Sequence, residues 1–325
     1  MSEANSMASN LKPARLRSAW GLRPGFALPL ALAAVCAVFA VISPIFLSPG
    51  NLLSILHQVT ITGIMAIGMT FVVMTGGIDL SIGPVLAIAG VFAADILVAS
   101  DGSVVLAIGG GVAISALIGL VNGLLVANVG LQPLVVTLAG LSIVRGIALL
   151  AGGPDLHLIR GPDLFLAIGS GLVAGIPFSV FLFVAVIALA AFLQYRTTFG
   201  LCVLAVGDNE RAARLSGHAT RRVKVIAYVI CSLTAGIAGI IQASQVHTAA
   251  ATYGMGIELD VIAAVVLGGT KLTGGSGSVF LTVVGVLLIG VMNDGLALLN
   301  VPIEMQLIAK GVIIALALAI ANRRG

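Results

Sequence analysis

The sequence predicts an all-α integral membrane protein with about ten transmembrane helices, one of them short or broken. Three observations carry this expectation. Apolar residues make up 59% of the chain and charged residues 9%, with a mean hydropathy of +1.19. A soluble domain averages about 45–50% apolar and about 25% charged, so this chain has too few charges to clothe a water-facing surface. The apolar residues also fall in continuous blocks long enough for membrane helices, without the alternation of barrel strands. Finally, the basic residues gather in a few hydrophilic stretches, as they do on the inner side of a membrane.

Residues 1–24 form a basic N-terminal segment with Lys12, Arg15, Arg17 and Arg23, and residues 25–325 form the transmembrane domain. The first span covers about 26–47, too long for an ordinary secretion-signal core. It ends at Ser48-Pro49-Gly50-Asn51. The next spans run 55–75, 80–99, 104–127 and 134–151. Residues 152–163 form a loop with Pro154, Asp155, His157, Arg160 and Pro162. The sixth span is expected over 171–195, with Leu164–Ile168 as a short helix leading into it. A hydrophilic stretch, 196–224, precedes a span at 225–246. Segment 258–271 is short for a crossing, which suits a half-helix or a tilted span. Spans at 278–298 and 305–321 complete the domain.

With both termini in the cytoplasm, ten crossings place thirteen of the sixteen Lys and Arg inside. Only Arg160 falls outside, and Arg145 and Lys310 fall within spans. This asymmetry supports the count and the orientation. It also explains the net charge of +4 without nucleic acid, because the basic stretches lack interleaved aromatics. Cys36, Cys202 and Cys231 are scattered, and the four histidines lack metal-ligand spacing, so no disulfide framework, metal site or catalytic residue is expected.

Several polar residues are candidates for function. Within 196–224, Asp208 or Asn209 can cap a short helix, Glu210 suits its positive end and Gly217 can close it. That helix would present Arg211 and Arg214 beside Ala212, Ala213 and Leu215. The pattern fits an element that receives force from a soluble partner, and it also fits an ordinary basic loop. Thr75-Gly76-Gly77 is echoed by Thr273-Gly274-Gly275, each followed at once by an apolar span. Asp79 can cap the third span or anchor a gate hairpin, while Glu258 and Asp260 suit the outer start of segment 258–271. Ionisable residues within spans are costly and functional by default. Asp95, Arg145, Asp294 and Lys310 qualify, and Asp294 could pair with Lys310. Asn122 and Asn293 are further polar candidates for the pathway, with hydrogen bonding between helices as the alternative.

Three motifs carry a family resemblance. Residues 210–217, Glu-Arg-Ala-Ala-Arg-Leu-Ser-Gly, resemble the EAA-type coupling loop of ribose-type ABC permeases. Residues 75–83, Thr-Gly-Gly-Ile-Asp-Leu-Ser-Ile-Gly, resemble the TGGIDLSVG segment of that family. Residues 258–270, continued by 272–279, resemble its ELDAIAAVVLGGT segment. The likeness covers nearly all of 30–321. Two positions depart from the pattern: Pro84 stands where a small polar residue is expected, and Arg211 stands where Ala is expected. They bear on substrate preference and docking detail.

The resemblance implies an ABC importer permease bundle and a set of site residues. Glu210, Arg211, Ala212, Ala213, Arg214 and Gly217 would couple to an ATPase. Gly76, Gly77, Asp79, Ser81, Gly83, Gly274 and Gly275 would form gate hairpins. Asn122, Glu258, Asp260, Asn293 and Asp294 remain pathway candidates. The implied partners are cytoplasmic ABC ATPase subunits, a periplasmic sugar-binding protein, a second permease copy and membrane lipid. The chain carries no phosphate-binding loop, so it is expected to hold no cofactor, with ATP and Mg bound by the partner ATPase. The expected substrate is a monosaccharide. A branched-chain amino acid permease of the same superfamily and an ion-coupled secondary transporter are the alternatives.

Overall fold

The computed structural model describes residues 24–153 and 155–322. The basic residues before Pro24, and Arg323 and Arg324, lie outside the described residues. Twelve α-helices account for most of what is described. They are α1 (Pro24–Ile42), α2 (Pro49–Met74), α3 (Ile82–Ala99), α4 (Val104–Leu124), α5 (Pro133–Gly152) and α6 (Asp163–Ser170). The remainder are α7 (Phe178–Arg196), α8 (Thr198–Leu215), α9 (Thr220–Val246), α10 (Ile257–Leu267), α11 (Val279–Leu298) and α12 (Ile303–Asn322). Seven of these, α4 being extended to Val129 by a π-helical turn, are long and apolar enough to cross a bilayer.

Local chemistry moves several boundaries from their expected places. Helix α1 stops at Ile42, because Pro44 disfavours helical geometry at Ser43. Helix α2 starts six residues earlier than expected. Ser48 accepts the Asn51 amide at 3.3 Å, and Pro49 occupies the first turn, where its missing N–H costs nothing. The sixth span begins later, at Phe178. Between α6 and α7 lies a two-residue hairpin, β2 (Leu172–Val173) with β3 (Ile176–Pro177). Its turn uses Ala174 and Gly175 with positive φ. The expected short helix before that span is present as α6.

Helix α9 is the centre of the bundle, packed against α2, α3 and α4. Its contact residues are small. A Cβ at Gly239 would overlap the Leu86 backbone, and Gly119 of α4 lies against the Tyr228 carbonyl. Such close approach supplies the dispersion that holds helices together where no water remains to be expelled. Polar residues on the outside are few, and α4, α5 and α7 expose apolar side chains such as Val105, Leu150 and Leu189, as lipid contact requires.

At the end of the bundle away from α8, the α5–α6 connection contributes β1 (His157–Leu158). This strand pairs antiparallel with β4 (Thr248–Ala249), just after α9. His157 is fixed by Asp95 of α3, 2.8 Å from Nδ1, and by the Gly152 carbonyl, 2.6 Å from Nε2.

Candidate functional site

Helix α8 is the most exposed polar element, and it is longer than its hydrophilic sequence led us to expect. Residues 198–207 form a first arm whose Gly200, Val203 and Val206 are buried against the bundle. The arm kinks at Asn209, with φ −155 and ψ 96. Asn209 then acts as a fresh N-cap: its Oδ1 accepts the Ala212 amide at 3.0 Å. Gly217, at φ +85, closes the second arm. Its amide donates to Arg214 O at 3.0 Å, and the His218 amide donates to Ala213 O at 3.1 Å. This pair of bonds is the usual Schellman termination.

The second arm is held from below by charge. Glu210 accepts Arg214 Nη2 at 2.9 Å through Oε1, and Lys224 Nζ of α9 at 2.5 Å through Oε2. Partial burial pushes the Glu210 carboxyl up. The hydrogen bonds and charges of Lys224 and Arg214 outweigh it and hold the carboxyl below the ordinary glutamate value. Ala213 is buried, while Arg211, Ala212, Arg214 and Leu215 face solvent. The apolar side of the helix is therefore not wholly inward: Leu215 is 83% exposed, one turn after Arg211 and next to Arg214.

The first arm touches the two glycine turns. A Cβ on Gly207 would overlap both the Met74 carbonyl and the Gly275 amide, and Asp208 packs on Gly275. Gly275 N–H donates to Met74 O at 3.0 Å. Gly76 lies against the Thr273 carbonyl, and Gly274 lies against the Gly76 amide. The two Thr-Gly-Gly echoes thus meet each other and α8 at one point. Gly76 (φ +81), Gly274 (φ +86) and Gly275 (φ +76) each hold a left-handed conformation that side chains resist.

The break between α2 and α3, residues 75–81, is pinned by buried hydrogen bonds. Asp79 Oδ1 accepts the Ser81 amide at 2.9 Å and the Ser81 hydroxyl at 2.6 Å. Asp79 therefore organises the start of α3 through Ser81. Asn122 of α4 donates to Ser81 Oγ at 3.0 Å, and Thr137 of α5 donates to the Ile78 carbonyl at 3.1 Å. Tyr228 of α9 places its hydroxyl against Gly77. Asp79, Ser81, Thr137 and Tyr228 are fully buried, and Asn122 nearly so. Asn122 is a strut of this hairpin.

A second break precedes α10. Residues 250–256 are unwound, and they reach the N-terminal end of α3, where Gly83 packs on the Gly254 carbonyl and on Glu258 Oε2. Helix α10 is accordingly a half-helix of eleven residues. Glu258 and Asp260 lie in its first turn, which starts beside the start of α3 and not at the outer end of the bundle. Neither makes a side-chain capping bond. Arg145 of α5 spans the unwound segment: its Nη1 donates to the carbonyls of Ala251 and Tyr253, the latter at 2.8 Å.

The other intramembrane charges pair differently from expectation. Lys310 reaches Asp260 at 2.9 Å and so joins α12 to α10. Asp294 instead accepts Asn51 Nδ2 at 2.8 Å, joining α11 to α2. Asn293 lines a small crevice with Asp260 and Lys310. Gly207, Leu215 and Tyr228 were not among the candidate site residues read from sequence, whereas Arg145 was, as an ionisable residue within a span.

Comparisons with known proteins place the chain in a family. Residues 51–318 match the family model described as branched-chain amino acid transport system / permease component. The chain is 39% identical over 298 residues to the ribose import permease of Escherichia coli strain K12, covering 91% of this chain and 92% of that one. It is 41% identical over 297 residues to the ribose import permease of Bacillus subtilis strain 168, with the same coverage. It is 37% identical over 308 residues to the L-arabinose ABC transporter permease of Azospirillum brasilense, covering 94% of this chain and 90% of that one. No solved structure matches. The chain is thus a multi-pass membrane protein that belongs to the permease-component family of ABC transport systems.

Proposed function

We propose that this chain forms the gated pathway of an ATP-driven, binding-protein-dependent monosaccharide importer in a bacterial inner membrane. Two copies build the pore. ABC ATPase subunits, which bind ATP and Mg, dock on residues 210–217, and a periplasmic sugar-binding protein docks at the opposite end. Both termini lie in the cytoplasm, consistent with the basic residues gathered in and around α8. The chain performs no covalent chemistry; it converts partner motion into access. A sugar is favoured over a branched-chain amino acid because relatives matched over most of the chain are named as a ribose import permease and an L-arabinose ABC transporter permease.

One observation carries this reading: the solvent-facing second arm of α8 continues into a first arm whose Gly207 touches both glycine turns. A push on Leu215 and the neighbouring Arg211 and Arg214 has a route of about one helix length, through the Asn209 kink, to both glycine turns. Only differential contact in two states can bias a gate, so opening must remake the contacts of Gly207 with Met74 and Gly275.

The test is reconstitution of the chain with its ATPase and binding protein in liposomes. ATP-dependent uptake of ribose, arabinose or a related monosaccharide is expected. Uptake driven by a proton or sodium gradient without ATP would refute the mechanism.

A further inference from the structure

The unwound segment 250–256 lies at a depth where irregular backbone is normally forbidden. Helices α3 and α9 run side by side in the same direction: Gly77 lies against Tyr228, and Leu86 and Gly90 lie against Gly239. Gly83, which touches Gly254, is therefore level with Gly236 of α9. That is about ten residues, or about 15 Å, from the end of α9. The hydrocarbon core is about 30 Å thick, so segment 250–256 dips to about its middle.

Lipid cannot cover such a segment. At membrane depth, backbone outside a helix survives only inside protein or along a water-filled cavity. Yet Thr252, Met255 and Gly256 are exposed on the protomer, next to exposed Leu259 of α10. This surface must face either the passage or a dry contact with a second copy. The chemistry behind it favours the passage. Arg145 is half-buried and uses Nη1 for the carbonyls of Ala251 and Tyr253. A guanidinium has five N–H donors, so others remain for a ligand. Glu258, close enough to Arg145 to interact electrostatically, has a buried Oε2 without a hydrogen-bond partner. A buried carboxylate oxygen of this kind requires an explanation. The opposite charges cancel, which leaves donors and acceptors without a net field to trap an ion.

We propose that residues 250–256, with Arg145 and Glu258, form a mid-membrane subsite that contacts the hydroxyls of the passing sugar. The proposal rests on the monosaccharide reading above. In the conformation described, Glu258 Oε2 and the Gly254 carbonyl close on Gly83. Parting of the α3–α10 seam frees that oxygen for the ligand, while the Arg145 donors and the Thr252 hydroxyl lie along the passage wall.

The test uses the full chain with Cys36, Cys202 and Cys231 replaced by Ala, carrying Thr252→Cys, Met255→Cys or, as a lipid-facing control, Leu150→Cys. A charged, membrane-impermeant thiol reagent is applied to the reconstituted complex. Thr252→Cys and Met255→Cys are expected to react at least 10-fold faster than Leu150→Cys, and millimolar sugar is expected to slow them. Arg145→Lys, which keeps the charge and loses the fork, is expected to raise KM for sugar about 10-fold. Labelling no faster than Leu150→Cys, labelling indifferent to sugar, or an unchanged KM in Arg145→Lys would overturn the proposal. The labelling contrast needs no ATP, so its failure is separable from failure of ATP-driven uptake.

Discussion

Gly207 of α8 and Met74 of α2 approach so closely that no Cβ fits between the glycine and the methionine carbonyl. The atoms that a side chain would meet belong to backbone, so no rotamer change relieves the overlap. Gly207→Ala should therefore separate α8 from the two glycine turns, at an overpacking cost of about 1–3 kcal/mol. Sugar transported per ATP hydrolysed is expected to fall about 10-fold while the complex still assembles. Unchanged stoichiometry with unchanged thermal stability would show that the contact does not transmit motion.

Glu210 anchors the second arm of α8 to Lys224 of α9. Its carboxyl is held below the ordinary glutamate value, so the charged form is favoured by folding. The tie is present above the usual glutamate range, about pH 4, and is lost as pH falls through the lowered value. Limited proteolysis around 208–220 should show the wild-type arm protected at neutral pH and increasingly cut as acid is added. Glu210→Gln should be cut readily at every pH. Equal protection of the two proteins at pH 7 would contradict the anchoring role.

Ser81 donates to Asp79 and accepts from Asn122 at full burial. Ser81→Ala leaves two buried polar groups without that partner, at a cost of about 1–3 kcal/mol. A fall in melting temperature together with slower uptake is expected. A variant as stable and active as the parent would remove Asp79 and Ser81 from the gate hairpin.

Lys310 and Asp260 join α12 to α10, each with about a fifth of its side chain exposed. Lys310→Met strands a carboxylate and should cost up to about 3 kcal/mol. The double variant Asp260→Leu with Lys310→Met should recover most of it. Thermal unfolding in detergent, compared across the four proteins, checks this. A double variant less stable than either single one would contradict the pairing.

Much of the fold was legible because apolar blocks report helices directly. The half-length of α10 was visible as a block too short to cross, and Asn209 and Gly217 signalled the ends of the second arm of α8. Partners across the bundle were not legible. Lys310 meets Asp260 where sequence pointed to Asp294, because nothing in spacing along a helix says which neighbour it faces. The first arm of α8 was hidden inside a hydrophilic stretch, although Phe199, Leu201, Val203 and Val206 carry an apolar signal that could have revealed it. The two Thr-Gly-Gly echoes were visible as repeated turns, but nothing in their spacing showed that the fold brings them into contact. Glu258 looked like an outer-end cap because the descent of residues 250–256 leaves no mark in composition.

Leu215 offers the most direct test of the whole account. Leu215→Cys in a chain otherwise lacking cysteine, assembled with its ATPase and binding protein, should crosslink to the ATPase from the cytoplasmic side. A bulky adduct there should stop ATP-driven sugar uptake. Labelling of Leu215→Cys by an impermeant reagent from the binding-protein side, or full uptake with the adduct in place, would contradict the route from α8 to the pathway.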